Sequence, residues 1–409
     1  MIKKPFSIIL VCLLFISFHT AVPAADDYLL TEKTYKSLSK AQELMDAENY
    51  AEAGRALDAL LAQTGAGSYD RAVVQQTIGY LHSARAQYDK AADAFQKALD
   101  ADALPQDVTH NLRYNLAQLL IADGQYKKGI SLMESWLQDE TQPANDVYVL
   151  LASANYRINN HSKVIDYIRR AIRNDADPKE DWYRLQLSAH MSLKQYKSAI
   201  QVLETLITRY PYQKVYWDQL SALYLEQNKE FTSLAVKMLA DRLDLGDAKT
   251  LLNLADMYRY LRIPYKSGQL LTQAIDNGVI SNDFEHLEKL SQSWLAARED
   301  ELAAQTLQQM LPMDNSGQTH LRLGQLYVGM EQWQAAVTVL QQSLDLIQGN
   351  DVGRIHVLMG TAYFNLEQLS EAKAAFSKAI AFDSQSNQAG QWLRHIEDQL
   401  KKADNEQTS

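Results

Sequence analysis

Apolar residues along this chain recur every three or four positions in runs of about a dozen, and short polar turns separate the runs. The stretch "LRLGQLYVGMEQWQAAVTVLQQSL" (321–344) is two such segments joined by a turn. That period belongs to helices with one buried stripe, and almost no run alternates apolar with polar as a half-buried strand does. Aligning the small residue that follows each turn resolves the chain. Ala53, Ala91, Gly129, Val164, Ala199, Ala235, Gly268, Ala303, Ala336 and Ala372 lie roughly 33 to 38 residues apart, the period of stacked helix–turn–helix units.

Each unit repeats further signals. About twelve residues upstream stands another small residue, as at Gly79, Ala117, Ala152, Ser221, Ala255, Gly324 and Gly360. An aromatic often follows three positions later: Tyr224, Tyr258, Trp294, Tyr327, Tyr363. Four residues after the second small residue comes a large apolar one, such as Phe95, Ile168, Leu340 or Phe376. Glycine inside a helix costs about 1 kcal/mol relative to alanine, so close packing must offset it. Gly324 and Ala336 are therefore expected to meet where two antiparallel helices cross, with Leu323, Tyr327 and Leu340 filling the space around them. Segments rich in Pro, Gly, Asn and Asp, among them "DADALPQDV", "TRYPYQKVY" and "LPMDNSGQ", stop one unit and start the next. Pro211 stands where a second helix must end. The run "NQAGQWLRHIEDQL" predicts a solvating cap helix, and "KKADNEQTS" a frayed tail.

The pattern resembles the tetratricopeptide repeat, whose W-x2-L-G-x2-Y … A-x3-F … P signature returns as "WDQLSALY" (Trp217, Leu220, Ser221, Tyr224). It returns again as "LRLGQLY" with Ala336, and as "LMGTAYF" with Ala372 and Phe376. The resemblance runs from about residue 31 to 400. It implies an all-α fold, a right-handed superhelical solenoid of about ten repeats plus a C-terminal capping helix. Gly79, Ala91, Phe95, Gly324, Tyr327, Ala336, Gly360, Ala372 and Phe376 would be its packing residues. The departures are Val164 in place of a second-helix alanine, an extended turn "EQNKEFTSL" in the sixth repeat, and degenerate first and seventh repeats. The expected segments are a leader over 1–24, N-terminal repeats over 25–245, C-terminal repeats and cap over 246–400, and a disordered tail over 401–409.

The start of the chain changes the picture. Lys3 and Lys4 precede an apolar run from Phe6 to Phe18, and "TAVPAAD" then offers small residues for cleavage after Ala24. That run falls short of the roughly 20 residues a membrane span needs. A cleaved signal peptide, a periplasmic location and no membrane insertion after cleavage are therefore the expectation. Cys12, the sole cysteine, lies inside this leader, so the mature chain would hold no thiol and no disulfide. The net charge of −10 becomes −12 when Lys3 and Lys4 are removed. A chain this acidic lacks the basic face that nucleic acid demands.

Catalytic motifs are not legible. The histidines form no H-E-x-x-H, no G-x-S-x-G occurs, and "GAGSY" lacks the Lys-Ser/Thr ending of a phosphate loop. No enzyme activity, cofactor or metal is expected. His82 and His190 fall near the tyrosine position of the first helix and are expected to be satisfied there. What remains is surface. In a superhelix the first helices line the concave side, and their non-core positions include Gln76, Tyr80, Tyr114, Gln118, Val149, Ser153, Tyr156, Arg184, Asp218, Asp256 and Arg259. Tyrosine supplies contact area at low entropic cost, which suits binding of a peptide or protein. A carboxylate clamp is disfavoured: Asn115 is near one of its positions, but no lysine stands in register in the second repeat.

The stretches "DYLLTEKTYKSLSKAQELMDAENYAEAGRALDALL", "TIGYLHSARAQYDKAADAFQKALDADALP" and "LRYNLAQLLIADGQYKKGISLMESWL" are similar to tetratricopeptide repeat proteins associated with TonB energy-transduction systems. That resemblance implies an accessory periplasmic scaffold for iron-siderophore uptake, with TonB-type or motor proteins of the envelope as partners. The alternative is an assembly factor for envelope biogenesis or secretion, which would use the same array.

Overall fold

The structure is a computed structural model and describes residues 28–407. The leader read over 1–24 lies outside them. The chain divides between Ala199 and Ile200 into two compact units. In the first unit α1 (Glu32–Asp46) pairs with α2 (Tyr50–Leu61), and α3 (Tyr69–Ala84) with α4 (Tyr88–Asp100). The next pairs are α5 (Gln106–Ala122) with α6 (Tyr126–Asp139), and α7 (Asn145–Arg157) with α8 (His161–Asn174). Next come α9 (Glu180–Ser192) and α10 (Tyr196–Arg209), within which the division falls. The second unit continues with α11 (Lys214–Glu226) and α12 (Glu230–Arg242), then α13 (Ala248–Tyr260) and α14 (Pro264–Asp276). It ends with α15 (Phe284–Ala297) and α16 (Asp300–Met310), α17 (Gln318–Gly329) and α18 (Trp333–Leu344), α19 (Asn350–Asn365) and α20 (Leu369–Ala379), and the terminal α21 (Asp383–Gln407). The described residues hold ten helix pairs, a closing helix and no strand, the serial repeat architecture that the apolar period predicts. The expected boundary at 245/246 falls between α12 and α13, inside the second unit. Helix α21 runs to Gln407, past residue 400, so the helix continues into the segment read as a tail.

One register organises all ten pairs. The first-helix positions 41, 79, 117, 152, 187, 221, 255, 291, 324 and 360 are each followed, twelve residues on, by a second-helix position, and all twenty residues are buried. Seven residues after each first-helix position the backbone turns left-handed, from Glu48 (φ 57°) through Gly124 (φ 83°) to Glu367 (φ 61°). One residue later an amide reaches back over the turn to the carbonyl five residues before it, as in Gln87 N to His82 O (2.9 Å) and Gln332 N to Tyr327 O (2.9 Å). This is the Schellman closure, which satisfies carbonyls that a helix end leaves open. Nine of the ten left-handed residues are not glycine, including Arg262, Arg298 and Glu331.

The register corrects three readings. In the sixth repeat the partner of Ser221 is Ser233, not Ala235, which is exposed. The two hydroxyls lie 2.8 Å apart, and the Ser233 hydroxyl donates to the Ser221 carbonyl at 2.8 Å. The turn from Gln227 to Lys229 is as long as its counterparts, so "EQNKEFTSL" is not an extension. In the seventh repeat Ser267 holds the position given to Gly268. Gly268 instead receives the ring of Trp294, whose nearest atoms would stand 2.6 Å from an added Cβ.

The glycines show what the crossing demands. A Cβ on Gly79 would stand 2.2 Å from the Phe95 ring, one on Gly324 2.4 Å from Leu340, and one on Gly360 2.8 Å from Phe376. The side chain that closes over Gly324 is therefore Leu340, one turn beyond Ala336. Where the second helix carries the glycine, as at Gly129, an added Cβ would meet the Ala117 carbonyl at 2.9 Å, which is the expected backbone approach. Gly79, Ala91, Phe95, Gly324, Tyr327, Ala336, Gly360, Ala372 and Phe376 are all buried.

Successive repeats of the second unit are tied by the signature tyrosine. The Tyr224 hydroxyl donates to Glu204 (2.6 Å), while Gln308 and Gln341 donate to the hydroxyls of Tyr327 and Tyr363 (3.1 Å for the latter). Burial, aided by Glu204, pushes the Tyr224 hydroxyl up to about 12, so it stays a donor at any physiological pH.

Two outcomes are expected. Gly79→Ala lowers stability by about 1–3 kcal/mol in wild type through overpacking. In a Phe95→Ala background it raises stability by about 1 kcal/mol, the helix-propensity gain alone. Urea denaturation of the four variants checks the cycle. A left-handed conformation costs a residue with a Cβ about 1–2 kcal/mol, and glycine's extra chain entropy returns about half of that. Arg298→Gly should therefore raise the urea midpoint, and a lower midpoint would contradict the strained turn.

Candidate functional site

Except at Met45, Ile121, Leu321 and Val357, which are buried, three positions of each first helix stay outside the core: three before, one after and four after the register residue. In the first unit these bring forward most of the expected surface residues. The Tyr80 hydroxyl lies 3.4 Å from both Gln76 Nε2 and Asn115 Nδ2, and its ring edges against Phe95 at 5.1 Å. Asn115, the residue nearest a clamp position, is thus engaged with a tyrosine. Tyr114 packs its ring 4.7 Å from Trp136, and burial, then the Asp146 charge, raises its pKa. Gln118 and Val149 are half-buried, and Ser153 is exposed. The Tyr156 and Ser188 hydroxyls stand 3.0 Å apart, joining α7 to α9. Arg184 pairs with Asp181 at 3.0 Å on an exposed turn.

In the second unit the expected carboxylates are already committed. Asp218 accepts from Lys214 at 2.8 Å, one turn away on α11. Asp256 pairs with Arg259 at 2.7 Å, and Arg259 also donates to Gln292 at 2.8 Å, tying α13 to α15. The same face continues through residues that the sequence reading did not name. Arg322 reaches Glu288 at 3.1 Å, and Gln318 reaches Asp351 at 3.0 Å, linking α17 to α15 and to α19. Glu288 lies three residues before Ser291, a position the register marks, whereas Arg322, two residues before Gly324, lies outside the marked positions.

Each face is thus a ladder of hydroxyl, amide and charged groups with tyrosine rings between them. Among the described residues no three His, Cys, Asp or Glu lie where they could hold a metal, and no helix is long and apolar enough to cross a membrane. His82 and His190 occupy the tyrosine position, and each sets Nδ1 2.8 Å from a glutamine, Gln87 or Gln195, beyond the turn.

Tetratricopeptide repeat family models match residues 77–146, 319–351 and 353–386. The chain carries tetratricopeptide repeats. Among solved structures, the MamA protein aligns at 16% identity over 42% of this chain and 93% of its own, with a TM-score of 0.34. The APC/C hetero-tetramer Cut9-Hcn1 aligns at 13% over 89% and 84% (TM-score 0.29). The P58(IPK) TPR domain aligns at 13% over 91% and 99% (TM-score 0.26). Among curated proteins no sequence matches. Each matched repeat stretch contains a small-residue pair of the register, Gly79/Ala91 and Ala117/Gly129, Gly324/Ala336 or Gly360/Ala372.

One tetratricopeptide position titrates. Burial, followed by the like charge of Arg169, lowers the pKa of His190, although its bond to Gln195 opposes them. The folded pKa therefore lies below the unfolded value near 6.5. The unfolded chain binds more protons between the two, so this stabilisation is complete above the unfolded pKa and is lost as pH falls toward the folded one. His356, lowered by burial and Lys378, adds to the same loss. His190→Tyr, which restores the residue type of the register, should shrink the drop in urea midpoint between about pH 7 and pH 5. An unchanged drop would contradict the assignment.

Proposed function

We propose that this protein is an exported interaction scaffold whose first-helix faces bind a polypeptide segment of another envelope protein. Tetratricopeptide repeats are protein-binding modules, and the observation that carries the reading here is a set of hydrogen-bonded pairs on the first-helix faces: Tyr80 with Asn115 and Tyr156 with Ser188 in the first unit, and Arg259 with Gln292 in the second. These side chains are held in place by their neighbours, so less side-chain entropy is lost on binding. They expose aromatic and polar groups together, the composition of recognition surfaces.

The leader over 1–24 and the similarity of the N-terminal repeats to TonB-associated proteins support a finer reading. In it, the scaffold works in the periplasm as an accessory component of TonB-dependent iron-siderophore uptake. Its partner would be a Pro- and Lys-rich strand of a TonB-type protein, drawn by the net charge of −12 that remains once Lys3 and Lys4 are removed. Attraction between exposed charges is screened beyond about 10 Å at 0.1 M salt.

A photo-crosslinking residue at Ser153, with captured proteins identified by mass spectrometry, tests the reading in cells. Capture of TonB-type or motor proteins is expected. Capture of secretion or envelope-assembly factors would replace the TonB role, and capture of cytoplasmic proteins alone would overturn export. In solution, affinity for a Pro/Lys-rich peptide should weaken about tenfold or more between low and high salt, and a salt-independent affinity would sink the electrostatic part.

A further inference from the structure

The second helix of the fourth repeat departs in charge from the chain that carries it. Helix α8 holds Lys163, Arg169, Arg170 and Arg173 against one carboxylate, Asp166, in a chain of net charge −10. Arg169, Arg170 and Arg173 lie within about one turn of α8, and all three are exposed. Lys163, nearer the start of the helix, is shared with Glu134 at 3.4 Å. Among the described residues no carboxylate forms an ion pair with any of the three arginines.

Their own contacts position them without neutralising them. The Arg170 guanidinium sits 6.0 Å from the Tyr148 ring centre and 5.8 Å from that of Tyr167. The Arg173 Nε donates to the Arg169 carbonyl at 3.4 Å. Helix polarity accounts for a cation in the last turn, where Arg173 stands. It does not account for Arg169, which is i,i+4 to Arg173 and repels it by a few tenths of a kcal/mol. Three unpaired guanidiniums on one exposed turn form a surface awaiting anions.

We propose that the exposed face of α8 binds an acidic segment of a partner protein through Arg169, Arg170 and Arg173. Arginine's planar fork grips a carboxylate through two parallel hydrogen bonds, and the Tyr148 and Tyr167 rings lie within cation–π reach of one fork. A protein partner fits better than a lipid surface, because α8 exposes no large apolar side chain to enter a bilayer. The surface lies on a second helix, whereas Ser153 and Tyr156 of the same repeat lie on α7. One protein could therefore hold a segment on each helix, and this inference stands apart from the first-helix reading.

The test is fluorescence anisotropy of a labelled peptide of alternating Glu and Ser against the full chain. The expected result is binding that exceeds that of a Gln/Ser peptide and weakens as salt rises from about 0.05 to about 0.3 M. R169Q/R170Q/R173Q should weaken it about tenfold, with an unchanged circular dichroism spectrum because the three side chains are exposed. K127Q/K128Q, on the exposed face of α6, should leave it within about twofold. Equal binding of the two peptides, or equal losses in both variants, would overturn the proposal. So would phosphatidylglycerol vesicles that bind through the three arginines while the acidic peptide does not.

Discussion

Two helices of one repeat approach only as closely as the side chains between them allow, and at Gly79, Gly324 and Gly360 no side chain stands in the way. Phe95, Leu340 and Phe376 fill the space thus opened, each sixteen residues downstream of its glycine. Burying such a side chain contributes about 1.5–3 kcal/mol, which outweighs the cost of glycine in a helix. Where the pair is Ser221 and Ser233, mutual hydrogen bonds satisfy the hydroxyls that burial would otherwise penalise.

The turn is the second half of that constraint. Twelve residues from one small position to the next leave room for one geometry, a left-handed residue followed by a reach-back amide. The chain accepts this even with arginine or glutamate at the left-handed site. A repeat array multiplies each local economy, because every repeat leans only on its neighbours. The tyrosine hydroxyls that meet Glu204, Gln308 and Gln341 are the polar part of that leaning. In most repeats the same constraint leaves three first-helix positions outside the core, and those positions build the candidate surface.

Much of the fold was legible because small residues at a crossing are a steric necessity and so leave a mark in the letters. The mark fails where chemistry substitutes for size. Ser233 and Ser267 are small, yet Ala235 and Gly268 nearby look more typical; burial separates Ser233 from exposed Ala235, whereas Ser267 and Gly268 are both buried and only the twelve-residue spacing separates them. Most left-handed turns were not legible: Glu48, Lys194 and Arg298 carry none of the glycine or asparagine signal that Gly124, Asn159 and Asn228 do. The candidate surface was legible as positions but not as partnerships. Nothing in the sequence alone states that Asp256 is held by Arg259, or that Tyr156 meets Ser188 across a repeat. Glu288 stands at a position the spacing marks, three residues before Ser291, whereas Arg322, two before Gly324, does not, so spacing alone does not point to that pair.

The nesting of the helix pairs is accessible to nuclear magnetic resonance without altering the chain. If the second helix lays its aromatic ring on the bare backbone of the first, the Gly79 α-protons will show strong Overhauser effects to the Phe95 ring, and those of Gly360 to Phe376. Their resonances will also carry large ring-current shifts. Glycine α-protons at ordinary shifts, with no such cross-peaks, would mean that the pairs do not nest.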